Sequence, residues 1–139
     1  MKILRFLAPV LVAAAALCCF SSVAAAAGNG FTVSLAASTT EPYVGSPVTL
    51  TATANTDVGP TPYYITIYDE TTGAELAVCG TGSTCSATVT ETTPGTHEFE
   101  AFIGDDVPGS GAPGFALVSG NDVAVRWWRF IIIGLAHSA

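Results

Sequence analysis

From Phe31 onward the chain keeps one rhythm: an apolar residue, a small hydroxyl residue, then another apolar one. Val48-Thr49-Leu50-Thr51-Ala52-Thr53-Ala54 is its clearest stretch. A period of two sends alternate side chains to opposite sides of an extended backbone, so each such segment has one apolar and one polar face. A helix, with its period near 3.6, would scatter the same residues around its circumference. Segments of this kind bury their apolar faces by stacking one sheet upon another. The pattern therefore predicts an all-β fold, a two-sheet antiparallel β-sandwich.

The runs are short and end at turn residues. Phe31, Val33 and Leu35 mark the first strand, and Val48 to Ala54 the second, with Glu41 to Pro47 as a turn-rich link. Tyr63 to Tyr68 is β-branched or aromatic at every position, which suits a central strand. In it Ile65 and Ile67 are expected to face the core, while Tyr64, Thr66 and Tyr68 cover the other side. Leu76 and Val78 precede a cysteine loop, and Cys85, Ala87 and Val89 follow it. His97, Phe99, Ala101 and Ile103 form the next strand, with His97 facing inward beside Phe99. After a Gly- and Pro-rich loop, Phe115 to Val118 and Val123 to Trp127 make a last strand or a bent pair. About seven strands result, the number expected of a sandwich in one domain.

The first 27 residues differ from all of this. Lys2 and Arg5 stand in a short basic head, Phe6 to Phe20 is an unbroken apolar or small-residue run, and Ser21 to Ala27 is made of small residues. That order defines a secretory signal peptide, with cleavage expected after Ala26 or Ala27. The apolar run is shorter than the roughly 20 residues of a bilayer span, which disfavours an uncleaved anchor. Cys18 and Cys19 lack the small preceding residue a lipid-modified cysteine requires. The expected organisation is a signal peptide over 1–27, a β-sandwich over 28–128 and an apolar tail over 129–139.

Two of the four basic residues leave with the leader, so the formal charge of −7 becomes −9, with Arg126 and Arg129 remaining. A lysine-free acidic domain cannot neutralise a row of phosphates, which sets nucleic acid aside as a partner. Membrane contact is expected only through an uncleaved leader or the tail. In an oxidising compartment Cys79 and Cys85 are expected to form a disulfide. The five residues between them, Gly80-Thr81-Gly82-Ser83-Thr84, read as a bendable hairpin tip joining two chain-adjacent strands.

Several segments together carry a family resemblance: Ser46-Pro47-Val48-Thr49-Leu50-Thr51-Ala52, Tyr64-Ile65-Thr66-Ile67-Tyr68-Asp69, Thr71-Thr72-Gly73, the Cys79–Cys85 loop and Val123-Ala124-Val125-Arg126-Trp127. With these the chain resembles the immunoglobulin-like domains of secreted and cell-surface bacterial proteins, those of actinobacteria above all. The resemblance implies a secreted or cell-surface module for interaction or structural display, with no catalytic residues and no cofactor. Its partner would be an extracellular protein or a cell-wall component. The alternative is a small-ligand carrier of chromophore-binding type, which would need a deep apolar cleft of about 300 Å³ or more. The chain lacks the second disulfide usual in such carriers, and it lacks the buried Trp beside an inter-sheet cysteine pair found in antibody domains.

Candidates for chemistry are few. His97 has no Gly-x-Ser-x-Gly turn to supply a nucleophile. Asp69, Glu70, Glu98, Glu100, Asp105 and Asp106 read as solvated acids on turns or outward faces. Asp105-Asp106 offers hard oxygen ligands for calcium, without the Asp-x-Asp-x-Asp-Gly loop. Tyr43, Tyr63, Tyr64 and Tyr68 are candidates for a carbohydrate-stacking or protein-binding face. The run Arg126-Trp127-Trp128-Arg129-Phe130-Ile131-Ile132-Ile133 extends the last strand, lies at a membrane interface, or is the stub of a longer protein.

Overall fold

The computed structural model describes residues 30–105 and 116–131. The expected leader, Asp106 and most of the Gly- and Pro-rich loop lie outside the described residues, as do positions 132–139 of the tail. Eight strands follow in chain order. They are β1 (Val33–Ala37), β2 (Pro47–Ala54), β3 (Tyr64–Asp69), β4 (Ala74–Cys79), β5 (Thr84–Thr90), β6 (Gly95–Gly104), β7 (Ala116–Ser119) and β8 (Val123–Trp127). One sheet has the order β1-β2-β5. The other runs β4-β3-β6, and β7 and β8 both pair with β6. All these pairings are antiparallel.

The last strand is indeed a bent pair. β8 lies opposite Gly95–Phe99 and β7 opposite Phe102–Gly104, so the two share one lane beside β6. Asn121 sits at the bend and ties it to the other sheet. Its Oδ1 accepts from Leu35 N at 3.0 Å and its Nδ2 donates to Leu35 O at 3.1 Å, in the manner of a paired strand residue.

Alternation translates directly into burial. Val48, Leu50 and Ala52 on β2 are fully buried, as are Ile65 and Ile67 on β3 and Phe99, Ala101 and Ile103 on β6. These side chains meet between the sheets in one apolar core. Thr66 and Tyr68 point to the other side of β3 and are buried there too, Tyr68 edge-on to Phe102 at 5.9 Å. The outer face of the larger sheet is thus partly roofed by its own aromatic residues.

Two sequence expectations need correction. The link from Glu41 to Pro47 is not only a turn. Arg126 N donates to Thr40 O, Trp128 N to Pro42 O and Val44 N to Trp128 O, at 2.8, 2.9 and 2.9 Å. Residues 40–44 therefore run beside β8, with a parallel bridge between Tyr43 and Trp128. Pro42 fits this edge because only its carbonyl is needed.

The second correction concerns the cysteines. Sγ of Cys79 and Sγ of Cys85 are bonded, with a Cα–Cα separation of 5.7 Å. Cys79 pairs with Ile65 in the larger sheet and Cys85 with Ala52 in the smaller one. The loop is therefore an arch between layers, and the disulfide crosses the sandwich instead of closing a hairpin. Alternation fixes which way a side chain faces but not which lane the strand joins, and a Gly-rich loop serves either geometry. Gly80 is demanded by this arch: a Cβ there would come within 2.7 Å of the Tyr64 ring. Because the closed loop is small, reduction of the disulfide should lower unfolding free energy by about 2 kcal/mol. Urea unfolding with and without a thiol reductant measures it, and loss of folding on reduction would show that the core alone does not hold the sheets together.

Candidate functional site

The exposed large apolar side chains among the described residues collect in one place. They are Tyr43, Trp128, Phe130 and Ile131, at 55%, 39%, 69% and 77% exposure. Directly bridged residues project to the same side of a sheet, so Tyr43 and Trp128 stand side by side. Two residues before Trp128, Arg126 shares its face, and its guanidinium lies 3.8 Å from the centre of the Trp128 ring. Two residues after it, Phe130 meets Tyr43 edge-on at 5.5 Å. Between these elements lies a groove of about 390 Å³, lined by Glu41, Tyr43, Trp128 and Arg129. All four lining residues are exposed, so the groove is an open surface feature with two charged walls.

This arrangement gathers both arginines left after the expected leader. It also divides the candidate tyrosines. Tyr63 packs edge-on to Phe31 at 5.8 Å, Tyr64 covers Gly80 and Tyr68 is buried. Of the four, Tyr43 belongs to the exposed patch. The sequence marks the Trp-Trp-Arg-Phe run as unusual but offers it as a strand extension, a membrane-interface segment or a stub, with no binding site assigned. Its union with Glu41 and Tyr43 is not legible there, because that depends on the parallel pairing of residues 40–44.

Described backbone pairing of the C-terminal segment ends at Trp128, and Arg129, Phe130 and Ile131 are exposed. Removal of residues 129–139 should therefore leave the cooperative thermal transition in place, with a stability change within about 0.5 kcal/mol. A non-cooperative melt of the truncated chain would show the tail to be structural.

The second cluster surrounds His97. As expected, His97 faces the same way as Phe99, stacking on it at 6.1 Å, and it meets Trp127 edge-on at 5.7 Å. Its Nδ1 lies 2.8 Å from Asp69 Oδ2. Asp69 is not a solvated acid: it is 5% exposed at the end of β3. Its Oδ1 accepts from Thr71 N at 2.9 Å and from Thr72 N at 3.2 Å. Burial alone would raise its carboxyl, but the hydrogen bonds from His97 and Thr72 and the charge of His97 outweigh that and hold it below the ordinary aspartate value. His97 Nε2 faces Glu91 Oε2 at 3.9 Å. The pair resembles the acid–base half of a hydrolase triad, but the other ring nitrogen meets a carboxylate where a nucleophile's hydroxyl would stand.

The remaining acids divide by burial. Glu70, Glu98 and Asp105 are exposed. Glu100 is half-buried, and burial first, then the charges of Asp122 and Glu70, raise its carboxyl. Among the described residues no three His, Cys, Asp or Glu side chains converge as a metal site would require.

Compared with protein-family models, with curated proteins and with solved structures, the chain has no match in any of the three. The fold and the groove define it as a two-sheet antiparallel β-sandwich, compatible with the immunoglobulin-like class, with an aromatic and charged groove at one edge.

Proposed function

We propose that the chain is a non-catalytic, exported immunoglobulin-like module of the bacterial secreted type, which engages a partner outside the cell through the groove at Trp128. The leader pattern of residues 1–27 supports export. The observation that carries the binding reading is the concentration of Tyr43, Trp128, Phe130 and Ile131, the exposed large apolar side chains among the described residues, at one edge of the domain. Contiguous exposed apolar surface on a soluble domain marks an interaction site more often than an accident of folding. Tyr, Trp and Arg are also the residues that dominate recognition energy at interfaces.

The small-ligand carrier has less support. Its cleft would be deep and apolar, whereas this groove is open and bounded by Glu41 and Arg129. An enzyme has less still, given the surroundings of His97. The test is retention of the full-length protein, in whatever processed form export leaves it, on cell-wall material and on the proteins of culture supernatant. Retention that weakens in Trp128→Ala supports the module. Recovery of the protein with a small chromophore or lipid and no macromolecular partner overturns it.

A further inference from the structure

We infer that the groove takes a polysaccharide chain, an inference that rests on the module reading and names its partner class. A sugar ring presents two kinds of surface. One face is a set of C–H groups, and the rim is a set of hydroxyls, each of which donates and accepts a hydrogen bond. A matching site needs aromatic surface for the face and both an acceptor and a donor for the rim.

The groove holds all three. Tyr43 and Trp128 supply aromatic surface side by side, and Phe130 continues it along the chain direction. Glu41 is a pure acceptor and Arg129 a pure donor, and both line the same groove. Arg126 over the Trp128 ring at 3.8 Å holds the indole in place before any ligand arrives, which reduces the ordering cost of binding. A volume of about 390 Å³ lies within the range of small-ligand sites and admits a short run of sugar rings. Because the groove is open, a longer chain can pass through it.

Other partner classes fit less well. A stable protein interface needs about 800 Å² from each side around a core depleted in charged residues, whereas this groove has a charged side chain on each wall, Glu41 and Arg129. A membrane surface suits Trp and Arg at its interface. However, the chain carries a formal charge of −7, so an anionic headgroup layer repels the domain as a whole even though Arg126 and Arg129 stand at the groove.

The experiment is co-sedimentation of the full-length protein with insoluble cellulose, chitin and purified peptidoglycan. Parallel arms use phosphatidylcholine vesicles with and without phosphatidylglycerol, and the proteins of culture supernatant. Binding to at least one polysaccharide is expected, about tenfold weaker in Trp128→Ala and in Tyr43→Ala and largely restored in Trp128→Phe. Both side chains are exposed and their bridge is made by backbone atoms, so thermal melts of the variants should match the parent and exclude misfolding. Sedimentation with vesicles alone overturns the inference, as does polysaccharide binding unchanged in Trp128→Ala. Trp128-dependent capture of a supernatant protein, with no polysaccharide bound, overturns the inference and leaves the module reading standing. No retention on any arm removes both.

Discussion

Trp127→Ala should lower the unfolding free energy by about 3–5 kcal/mol. Trp127 is 1% exposed. It is T-shaped on Phe99 at 6.4 Å, and its Nε1 donates to Ser46 O at 3.3 Å. Truncation removes the largest side chain of the core, opens a cavity between β8 and β6 beside Phe99 and His97, and strips the Ser46 carbonyl of its donor. Small domains carry about 5–15 kcal/mol in total, so the loss takes roughly a fifth of the stability or more. The melting temperature should fall by roughly 15 °C or more. Trp127→Phe, which keeps the ring stacking and loses the hydrogen bond, should recover most of it. Trp128→Ala is the internal control: the adjacent residue of the same type, projecting outward, should change stability by no more than about 0.5 kcal/mol. Urea unfolding followed by far-ultraviolet circular dichroism reads all three variants, since that signal does not depend on which tryptophan remains. A Trp127→Ala protein within 1 kcal/mol of the parent would mean that the core does not close around this side chain.

The opposite fates of the two tryptophans were half legible in the sequence. Val123-Ala124-Val125-Arg126-Trp127 alternates, so Trp127 belongs with Val123 and Val125 on the inner face, and the structure puts it there. The same rule placed Ile65, Ile67, Phe99 and His97 correctly, because a strand's own period decides which way its side chains face. Partnership between strands is a different question. β4 and β5 are neighbours in the chain, yet they sit in different sheets, and nothing in either strand's pattern records that. Residues 40–44 carry no alternation to announce their pairing with β8, since Pro42 and Gly45 interrupt it. The Asp69–His97 pair was hidden for the same reason. It spans 28 residues and exists because β3 and β6 are in a register that sets Asp69 opposite Phe99. In isolation, an Asp followed by Glu-Thr-Thr-Gly is a turn residue open to solvent. It becomes buried when the neighbouring strand brings aromatic side chains and an imidazole to its side.

That burial makes Asp69 the second sensitive position. Asp69→Ala should cost about 2–3 kcal/mol, since the carboxylate holds the turn through Thr71 N and Thr72 N and joins it to β6 through His97. The docking is reinforced from the turn side by Glu98 N donating to Thr71 Oγ1 at 2.9 Å, so the whole corner loosens together. Asp69→Asn keeps an acceptor for the turn and loses the charge, and should cost less than the alanine variant. The pH dependence follows from the sign of the shift. The folded carboxyl lies below its ordinary value, so its contribution is fully present above the unfolded value near 4 and is lost as pH falls through the folded one. Glu100 works the other way: its folded value is raised, so its contribution is present below the unfolded value and lost as pH rises through the folded one. The parent should therefore lose stability on acidification through Asp69 while Glu100 partly offsets that loss. In Asp69→Asn the acid decline should flatten, and in Glu100→Gln it should steepen. Urea midpoints taken between neutral pH and about pH 3 separate the two carboxyls. An acid decline as steep in Asp69→Asn as in the parent would show that the His97–Asp69 corner does not govern the stability of this sandwich in acid.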